Sequence, residues 1–348
     1  MSRIAYFVHG RGRGHGIRTR AVLERLDERH QARVYGAGDA VHVLGDRPEF
    51  EEVAAFAPGG QMARSFAARL REDRERLRAF RPSLVVSDGD GPSVHAAWSL
   101  GIPVLAVGHG LVFRHTRLPS GLSPGRRLRE VVNSGSSSWP AARRVAVHFA
   151  PVEAATRGTV VARPDLDRPG RVTEERDDFV LAYFRDHDGI RPLELLAERG
   201  HRVVWFGRPE RAPRGVEVRE PDVDAFHLAL TRCRAVVGSA GNHLPAECAM
   251  MGVPMLALYR EGDAEHSLNG RLIEAAGIGV SSAFEKFGVR VVRRFEGELG
   301  LDRSPIVART RAMPPASEVV PRVIDEMCPP SRAPLTRRVY VEAAASAR

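Results

Sequence analysis

The sequence predicts an α/β protein of two open parallel-sheet domains, and three observations carry that prediction. Short apolar runs alternate with helical stretches along most of the chain, the pattern of parallel sheets covered by helices. The 348 residues are enough for two domains, each with a sizeable core. An internal repeat then puts one copy of a shared motif in each half. Val85-Val86-Ser87-Asp88 through Gly101-Ile102-Pro103-Val104-Leu105-Ala106 matches Val236-Val237-Gly238-Ser239 through Gly252-Val253-Pro254-Met255-Leu256-Ala257, at a constant offset of 151 residues. Each copy reads strand, loop, helix, Gly-x-Pro turn, strand.

In chain order, Ile4–Val8 is a first buried strand, followed by the Gly-rich Gly10–Gly16 and a helix expected over Ile17–Arg29. Leu84–Ser87 and Pro103–Val107 are further strands, with a helix over Ser93–Leu100 between them. Val112–Arg144, rich in Gly, Ser, Pro and Arg, reads as a variable loop. After a turn-rich stretch around Val161–Thr173 the cycle restarts with a strand at Phe179–Phe184 and a helix at Pro192–Arg199. Val203–Phe206, Ala235–Val237 and Met255–Leu258 are three more strands. Val319–Met327 suits a last helix, but Pro329-Pro330 and Pro334 break the pattern beyond it. The expected organisation is a first domain over 1–160 and a second over 161–320. A tail, 321–348, either packs back on the N-terminal domain or stays mobile.

Composition narrows the function classes. With 43% hydrophobic and 27% charged residues, the chain is neither disordered nor fibrous. No apolar run approaches the ~18–20 residues of a membrane span, and none resembles a signal-peptide core. Cys233, Cys248 and Cys328 form no CxxC pair, which fits a reducing cytoplasm. The formal net charge of +9 lies wholly in residues 1–150, with 23 Lys+Arg against 14 Asp+Glu. Residues 101–150 carry seven arginines and one acid, Glu130. Such a half attracts nucleic acid, anionic lipid or an acidic small molecule, or it is an arginine-rich solvated surface.

Three loops carry the chemistry. In open α/β sheets, ligands bind beyond the carboxyl ends of the strands, where loops lead into helix N-termini. Gly10-Arg11-Gly12-Arg13-Gly14-His15-Gly16 lets backbone approach a ligand and puts a titratable imidazole, His15, at a strand end, where a general base would sit. It is not a dinucleotide fingerprint, because no acidic residue closes the strand around Val34–Ala37. Ser87-Asp88-Gly89-Asp90-Gly91 sits on the same rim, so Asp88 is the expected orienter of His15. Asp90 reads better as a helix cap. Gly238-Ser239-Ala240-Gly241-Asn242-His243-Leu244 opens a helix carrying Glu247, and free N–H groups at such a helix start suit a pyrophosphate.

Ser239-Ala240-Gly241, Glu247, Gly252-Val253-Pro254, Glu265-His266 and Asn269 together resemble the donor-binding signature of nucleotide-sugar glycosyltransferases of the GT-B fold. The natural-product glycosyltransferases and the family that adds N-acetylglucosamine to lipid I are the nearest in pattern. Gly14-His15 matches the Gly-His of the first strand loop in those families, and Asp88 falls where the partner acid belongs. The likeness spans roughly residues 3–280 and implies two Rossmann-like domains facing each other across a cleft. It implies that His15 deprotonates the acceptor hydroxyl with Asp88 orienting it. Gly241, Asn242 and His243 would surround the diphosphate, Glu247 would hold the ribose, Glu265 and His266 would contact the donor sugar with Asn269 following at the usual spacing, and Gly14 and Ser239 would also belong to the donor site. Departures are Ser239 for the usual phosphate-binding His, His266 for the usual Gln, and Arg18 where a Pro would fall.

The implied reaction is an inverting transfer from a UDP- or dTDP-sugar to a small-molecule or lipid-linked hydroxyl. It needs neither a metal nor a cofactor besides the donor, although Asp88-Gly89-Asp90 has Asp-x-Asp spacing. A nucleotide-sugar epimerase of the same fold is the alternative, and a non-catalytic nucleic-acid-binding protein is the other. Nucleic acid is not an expected partner, since only Phe113, Trp139 and Phe149 lie among the arginines of residues 101–150. Acceptor choice falls to the N-terminal domain, with His109 and His115 as candidate contacts or else structural histidines. The charge excess of that domain implies an anionic acceptor, or one met by peripheral contact with an anionic membrane surface.

Overall fold

Val-, Ile-, Leu- and Ala-rich runs that are buried on both faces cannot present one side to water, and here they pair in parallel under helices. The computed structural model describes residues 1–55, 62–166, 176–184 and 189–329. The first half supplies strands β1 (Ser2–Val8), β2 (His30–Gly36), β3 (Phe50–Glu52), β4 (Leu84–Asp88), β5 (Val104–Gly108), β6 (Thr116–Arg117), β7 (Arg143–Val147), β8 (Glu153–Ala154) and β9 (Thr159–Ala162). Its helices are α1 (Arg13–Leu23), α2 (Asp39–Leu44), α3 (Met62–Phe80), α4 (Gly91–Ser99), α5 (Val112–His115) and α6 (Pro124–Gly135). The second half supplies β10 (Asp177–Tyr183), β11 (Val203–Phe206), β12 (Val216–Arg219), β13 (Cys233–Ser239), β14 (Met255–Tyr259) and β15 (Gly279–Ala283). Around these lie α7 (Ile190–Glu198), α8 (Val223–Arg232), α9 (His243–Met251), α10 (Ala264–Ala276), α11 (Val289–Glu298) and α12 (Ser304–Arg311), and α13 (Ala316–Met327) closes the described chain.

The first sheet has the order β3-β2-β1-β4-β5-β7-β9 and the second β12-β11-β10-β13-β14-β15, all parallel. The strands β6 and β8 form a small antiparallel ribbon beside them. Strand order reverses direction between β1 and β4 in one sheet and between β10 and β13 in the other. Crevices at such switch points are where open α/β sheets bind ligands. The predicted loops therefore sit at both switch points: Gly10–Gly16 and Ser87–Gly91 in the first sheet, Gly238–Leu244 in the second.

The repeat is structural as well as sequential. The units β4-α4-β5 and β13-α9-β14 recur at the 151-residue offset, so Asp88 and Ser239 end equivalent strands. Gly101 and Gly252 follow equivalent helices at φ +68° and +64°, a left-handed turn that a side chain would strain.

Two expectations need correction. The first helix begins at Arg13 and ends at Leu23, so most of the Gly-rich segment is helix and not loop. The glycines there serve close packing: a Cβ on Gly14 would meet the His243 ring at 2.5 Å, and one on Gly16 would meet Val43 at 2.9 Å. Gly10 backs onto Ala37 O in the same way. The stretch Val112–Arg144 is likewise no plain loop, because it folds as α5, β6 and α6. Ser123 caps α6, accepting from Arg126 N, and Pro124 takes the first helical position, a start signal hidden by the surrounding Gly and Ser. Nineteen-residue α3 and α10–α12 complete the helical cover. Among the described residues no helix is long and apolar enough to cross a membrane. Residues 167–175 of the turn-rich stretch and the tail beyond 329 lie outside the described residues.

Helix α13 packs on the first domain although it follows the second in sequence. Ala316, Val319, Val320, Val323 and Ile324 join the core of Ile4, Tyr6, Val22, Leu84, Val145 and Val147. Ser317 N donates to both oxygens of Asp165, and Arg25–Glu318, Arg29–Asp325 and Arg143–Glu326 pairs edge the contact. Ile324→Ala, at a fully buried position, should therefore cost about 2–4 kcal/mol of unfolding free energy in a urea titration. A cost below about 0.5 kcal/mol would mean that α13 is not part of that core.

Candidate active site at the facing sheet edges

Strand β4 delivers Asp88 to the switch point with no exposure to solvent. A bare carboxylate there would be very costly, and three contacts compensate it. Arg18 Nε donates to Asp88 Oδ2 at 2.8 Å, its Nη2 donates to Oδ1, and His15 Nδ1 lies 2.6 Å from Oδ1. Burial pushes the carboxyl up, but the Arg18 guanidinium and His15 outweigh it and hold it down at about 2. The same balance raises Arg18, whose burial is outweighed by Asp88. The contact with an ionised carboxylate fixes the tautomer of His15, with the proton on Nδ1. Its Nε2 makes no hydrogen bond among the described residues, and a quarter of the side chain (26%) is open to the cleft.

Helix α1 makes this geometry possible, since His15 and Arg18 lie three apart on one face. The position where the resembled families place a Pro thus holds the residue that neutralises Asp88. In the sequence Arg18 stands out only as a departure from the resembled pattern; its spacing from His15 is the signal that points to its role. His9, at the end of β1, packs edge-on to His15 with ring centroids 5.5 Å apart. Burial, then His15, lowers its pKa. Asp90 caps α4, accepting from Ser93 N at 3.0 Å and from Arg69 at 3.3 Å.

The equivalent helix in the second domain is built differently. The N-cap of α9 is Asn242, whose side chain makes no capping bond, and no acid lies in the first turn. Where α4 has Asp90, α9 has Gly241, with open space around its Cα. The N–H groups of that first turn and the positive end of the helix dipole are thus left for another acceptor. Ser239 Oγ, Asn242 Oδ1 and His243 Nε2 are buried there without partners. Burial first, then repulsion from Arg18 and His15, lowers His243 to about 4, so the ring is neutral at physiological pH. Its contact with Gly14 joins this loop to the first domain.

The other candidate residues fall around this point. Glu247, one turn into α9, lies 3.4 Å from His227 Nε2 of α8, a neighbour with no motif to reveal it. Asp263 caps α10, accepting from His266 N at 2.9 Å, and half-buried Glu265 and His266 follow in its first turn. Asn269 is fully buried; its amide donates to Ala240 O at 3.0 Å, and its Oδ1 lies 2.8 Å from His109 Nε2. His109 Nδ1 in turn donates to Val147 O at 3.0 Å, so this pair bridges the two domains below the donor loop. Arg126 to Ser267 bridges them between α6 and α10, and Arg129 to Gly262 O, at 3.4 Å, does so just before α10. His115 lies apart, against Thr156 at 3.0 Å.

The family model described as glycosyl transferase family 1 matches residues 56–299, which is more than half of the sequence. The chain belongs to that family. This glycosyltransferase is similar in fold to MurG of Acinetobacter baumannii, with a TM-score of 0.68 at 14% identity, covering 94% of this chain and 100% of that one. It is likewise similar to CalG4, the calicheamicin glycosyltransferase (0.68, 15% identity, 95% and 100% covered). A third such structure is the glycosyltransferase VinC in complex with dTDP (0.61, 14% identity, 93% and 99% covered). These likenesses show the GT-B fold. No curated protein sequence matches the chain.

The Asp88 pocket makes a prediction about stability. Asp88 has a lower pKa folded than unfolded, so its ionisation stabilises the fold above about pH 4, and that contribution fades as the pH falls toward 2. A fall from 3.8 to about 2 corresponds to about 2 kcal/mol. In the Arg18→Met/Asp88→Asn double variant, the stability lost between pH 4 and pH 2 should shrink by about that amount in urea titrations. An unchanged acid limb would contradict the arrangement.

Proposed function

We propose that this glycosyltransferase moves a sugar, with inversion, from a UDP- or dTDP-sugar to a small-molecule or lipid-linked hydroxyl, without a metal ion or further cofactor. The observation that carries the reading is the pairing of two unlike loops across the closed cleft. One holds a carboxylate-oriented imidazole with an open Nε2; the other holds an uncapped helix start lined by unpartnered polar atoms. VinC, which shares the fold, is in complex with dTDP.

In this reading the diphosphate lies at the start of α9, where N–H groups, Ser239 and Asn242 meet the charge that develops on the leaving group. A preorganised set of such donors contributes about 3–4 kcal/mol to the transition state for each strong donor. Glu247 accepts from the ribose hydroxyls, with His227 beside it to hold its carboxylate, and Glu265 and His266 reach the sugar. Asn269 acts through the donor loop, because its amide is spent on the Ala240 carbonyl and on His109. His15 Nε2 takes the proton of the acceptor hydroxyl as that oxygen attacks the anomeric carbon from the face opposite the diphosphate. Asp88 stabilises the imidazolium that forms, and Arg18 keeps Asp88 ionised. On the acceptor side, Leu118, Leu122, Leu128 and Val131 line a cavity of about 450 Å³ beside α6, an apolar wall for the acceptor's carbon skeleton. The three buried, unpaired cysteines fit a reducing cytoplasm.

His15→Ala should lower transfer by about 10²–10⁴-fold while leaving the affinity for the matching nucleoside diphosphate within about twofold. Turnover within a few-fold of the parent protein would overturn the role of His15. Formation of an epimer from the donor alone, with no acceptor present, would favour epimerisation over transfer.

A further inference from the structure

The seven arginines of residues 101–150 divide into two groups. Arg117 pairs with Glu153 at 3.2 Å and Arg143 with Glu326 at 2.8 Å. Arg127 donates to Phe113 O at 2.9 Å, Arg129 reaches Gly262 O, and Arg126 reaches Ser267. The side chains of Arg114 and Arg144 make no hydrogen bond or ion pair with any described residue, and both act electrostatically on one neighbour, His115.

The geometry ties the three together. His115 is buried at the end of α5, with Nδ1 3.0 Å from Thr156 Oγ1 and Nε2 without a partner. Thr156 Oγ1 is 2.9 Å from Thr159 Oγ1, and Thr159 on β9 stands in register with Arg144 on β7, so both point to one face of the sheet. The loop is held against α5 by Ala155 N donating to His115 O at 2.8 Å. Arg144 Nε is also buried and unpartnered. The charges acting most strongly on these groups are all positive: burial, then Arg144 and Arg114, lower His115 to about 4, and burial with Arg114 lowers Arg144. Two cationic side chains, one adjacent to His115 in sequence and one in register with Thr159, therefore act on a buried imidazole and two hydroxyls, and among the described residues no acid is paired with either. Such a cluster is unfavourable as it stands and becomes favourable around an anion.

We propose that Arg114, His115 and Arg144 form an anion site that takes a phosphate group, either of a soluble phosphate ester or of a phospholipid headgroup. Two guanidinium forks and the Thr156 hydroxyl suit the tetrahedral oxygens of phosphate. Arg144 lies three residues before Val147, the end of β7 at the cleft, which puts the site about 10 Å along the strand from the donor loop. This assignment goes beyond the glycosyl-transfer reading and does not depend on it.

The test is a titration of inorganic phosphate into the full-length protein labelled with ¹⁵N-histidine, at constant ionic strength kept with chloride. The imidazole signals of His115, assigned by their absence in His115→Asn, should shift saturably, and its pKa should rise by at least one unit at saturation. Arg114→Gln/Arg144→Gln should weaken phosphate at least tenfold, while Arg114→Lys/Arg144→Lys should weaken it less. Because Arg114 is exposed, Arg114→Gln alone provides a folded variant, and it should weaken phosphate at least threefold. Equal shifts with chloride, no shift of His115, or unchanged phosphate affinity in the glutamine variants would overturn the site. Co-sedimentation with phosphatidylglycerol vesicles but not phosphatidylcholine vesicles, abolished in the double glutamine variant, would assign the phosphate to a lipid. Phosphate binding without vesicle binding would assign it to a soluble ester.

Discussion

A carboxylate with no access to water must be matched charge for charge, and Asp88 sets that requirement at the centre of the first domain. Meeting it fixes Arg18 in a two-oxygen grip and His15 in one tautomer. Both partners come from α1, so the start of that helix is tied to the end of β4, and with it β1 to its switch-point neighbour. Arg18 supplies the positive charge that Asp88 requires, and the contact of Nδ1 with Asp88 leaves Nε2 of the imidazole without a partner among the described residues.

The repeated unit supplies an internal comparison. The same strand, helix and Gly-x-Pro turn occur in both domains, and their loops are used for opposite purposes. In the first, Asp90 closes the helix end and Asp88 binds cations. In the second, Gly241 and Ser239 stand at the equivalent places, so the helix end is neither capped nor opposed by an acid. One architecture thus yields a buried carboxylate with an imidazole beside it and, facing it, a helix start with neither cap nor acid. The asymmetry depends on two substitutions between the repeats, at Asp88/Ser239 and Asp90/Gly241. Closure then matters as much as the loops: His109 with Asn269, Arg126 with Ser267, and α13 folded back on the first core hold the two sheets edge to edge.

Much of this was legible in the sequence. Alternating apolar runs and the 151-residue repeat gave the two sheets, and Gly14-His15, Asp88 and the Ser239–His243 loop marked both sides of the cleft. What escaped detection depended on partners distant in sequence. Gly14 and Gly16 suggested loop, but they are small because His243 and Val43 press against a helix. The start of α6 was obscured by Gly and Ser, although Ser123-Pro124 is a capping signal. His227 and the His109–Asn269 bridge join residues 20 and 160 positions apart, and no local motif announces such pairs. The net charge was legible as a total but not in its disposition, since most of the arginines of residues 101–150 are engaged in contacts and two are left around His115.

The central claim, that an uncapped helix start facing a carboxylate-oriented histidine receives the donor diphosphate, is tested most directly by thermal unfolding against UDP, dTDP, GDP and ADP. UDP or dTDP should raise the melting temperature by several degrees at a hundredfold excess over Kd, equivalent to about 2.7 kcal/mol. Ser239→Asp, which puts the charge of Asp88 at the equivalent place in the second loop, should abolish that rise. Stabilisation by none of the four diphosphates, or an undiminished rise in Ser239→Asp, would contradict the account.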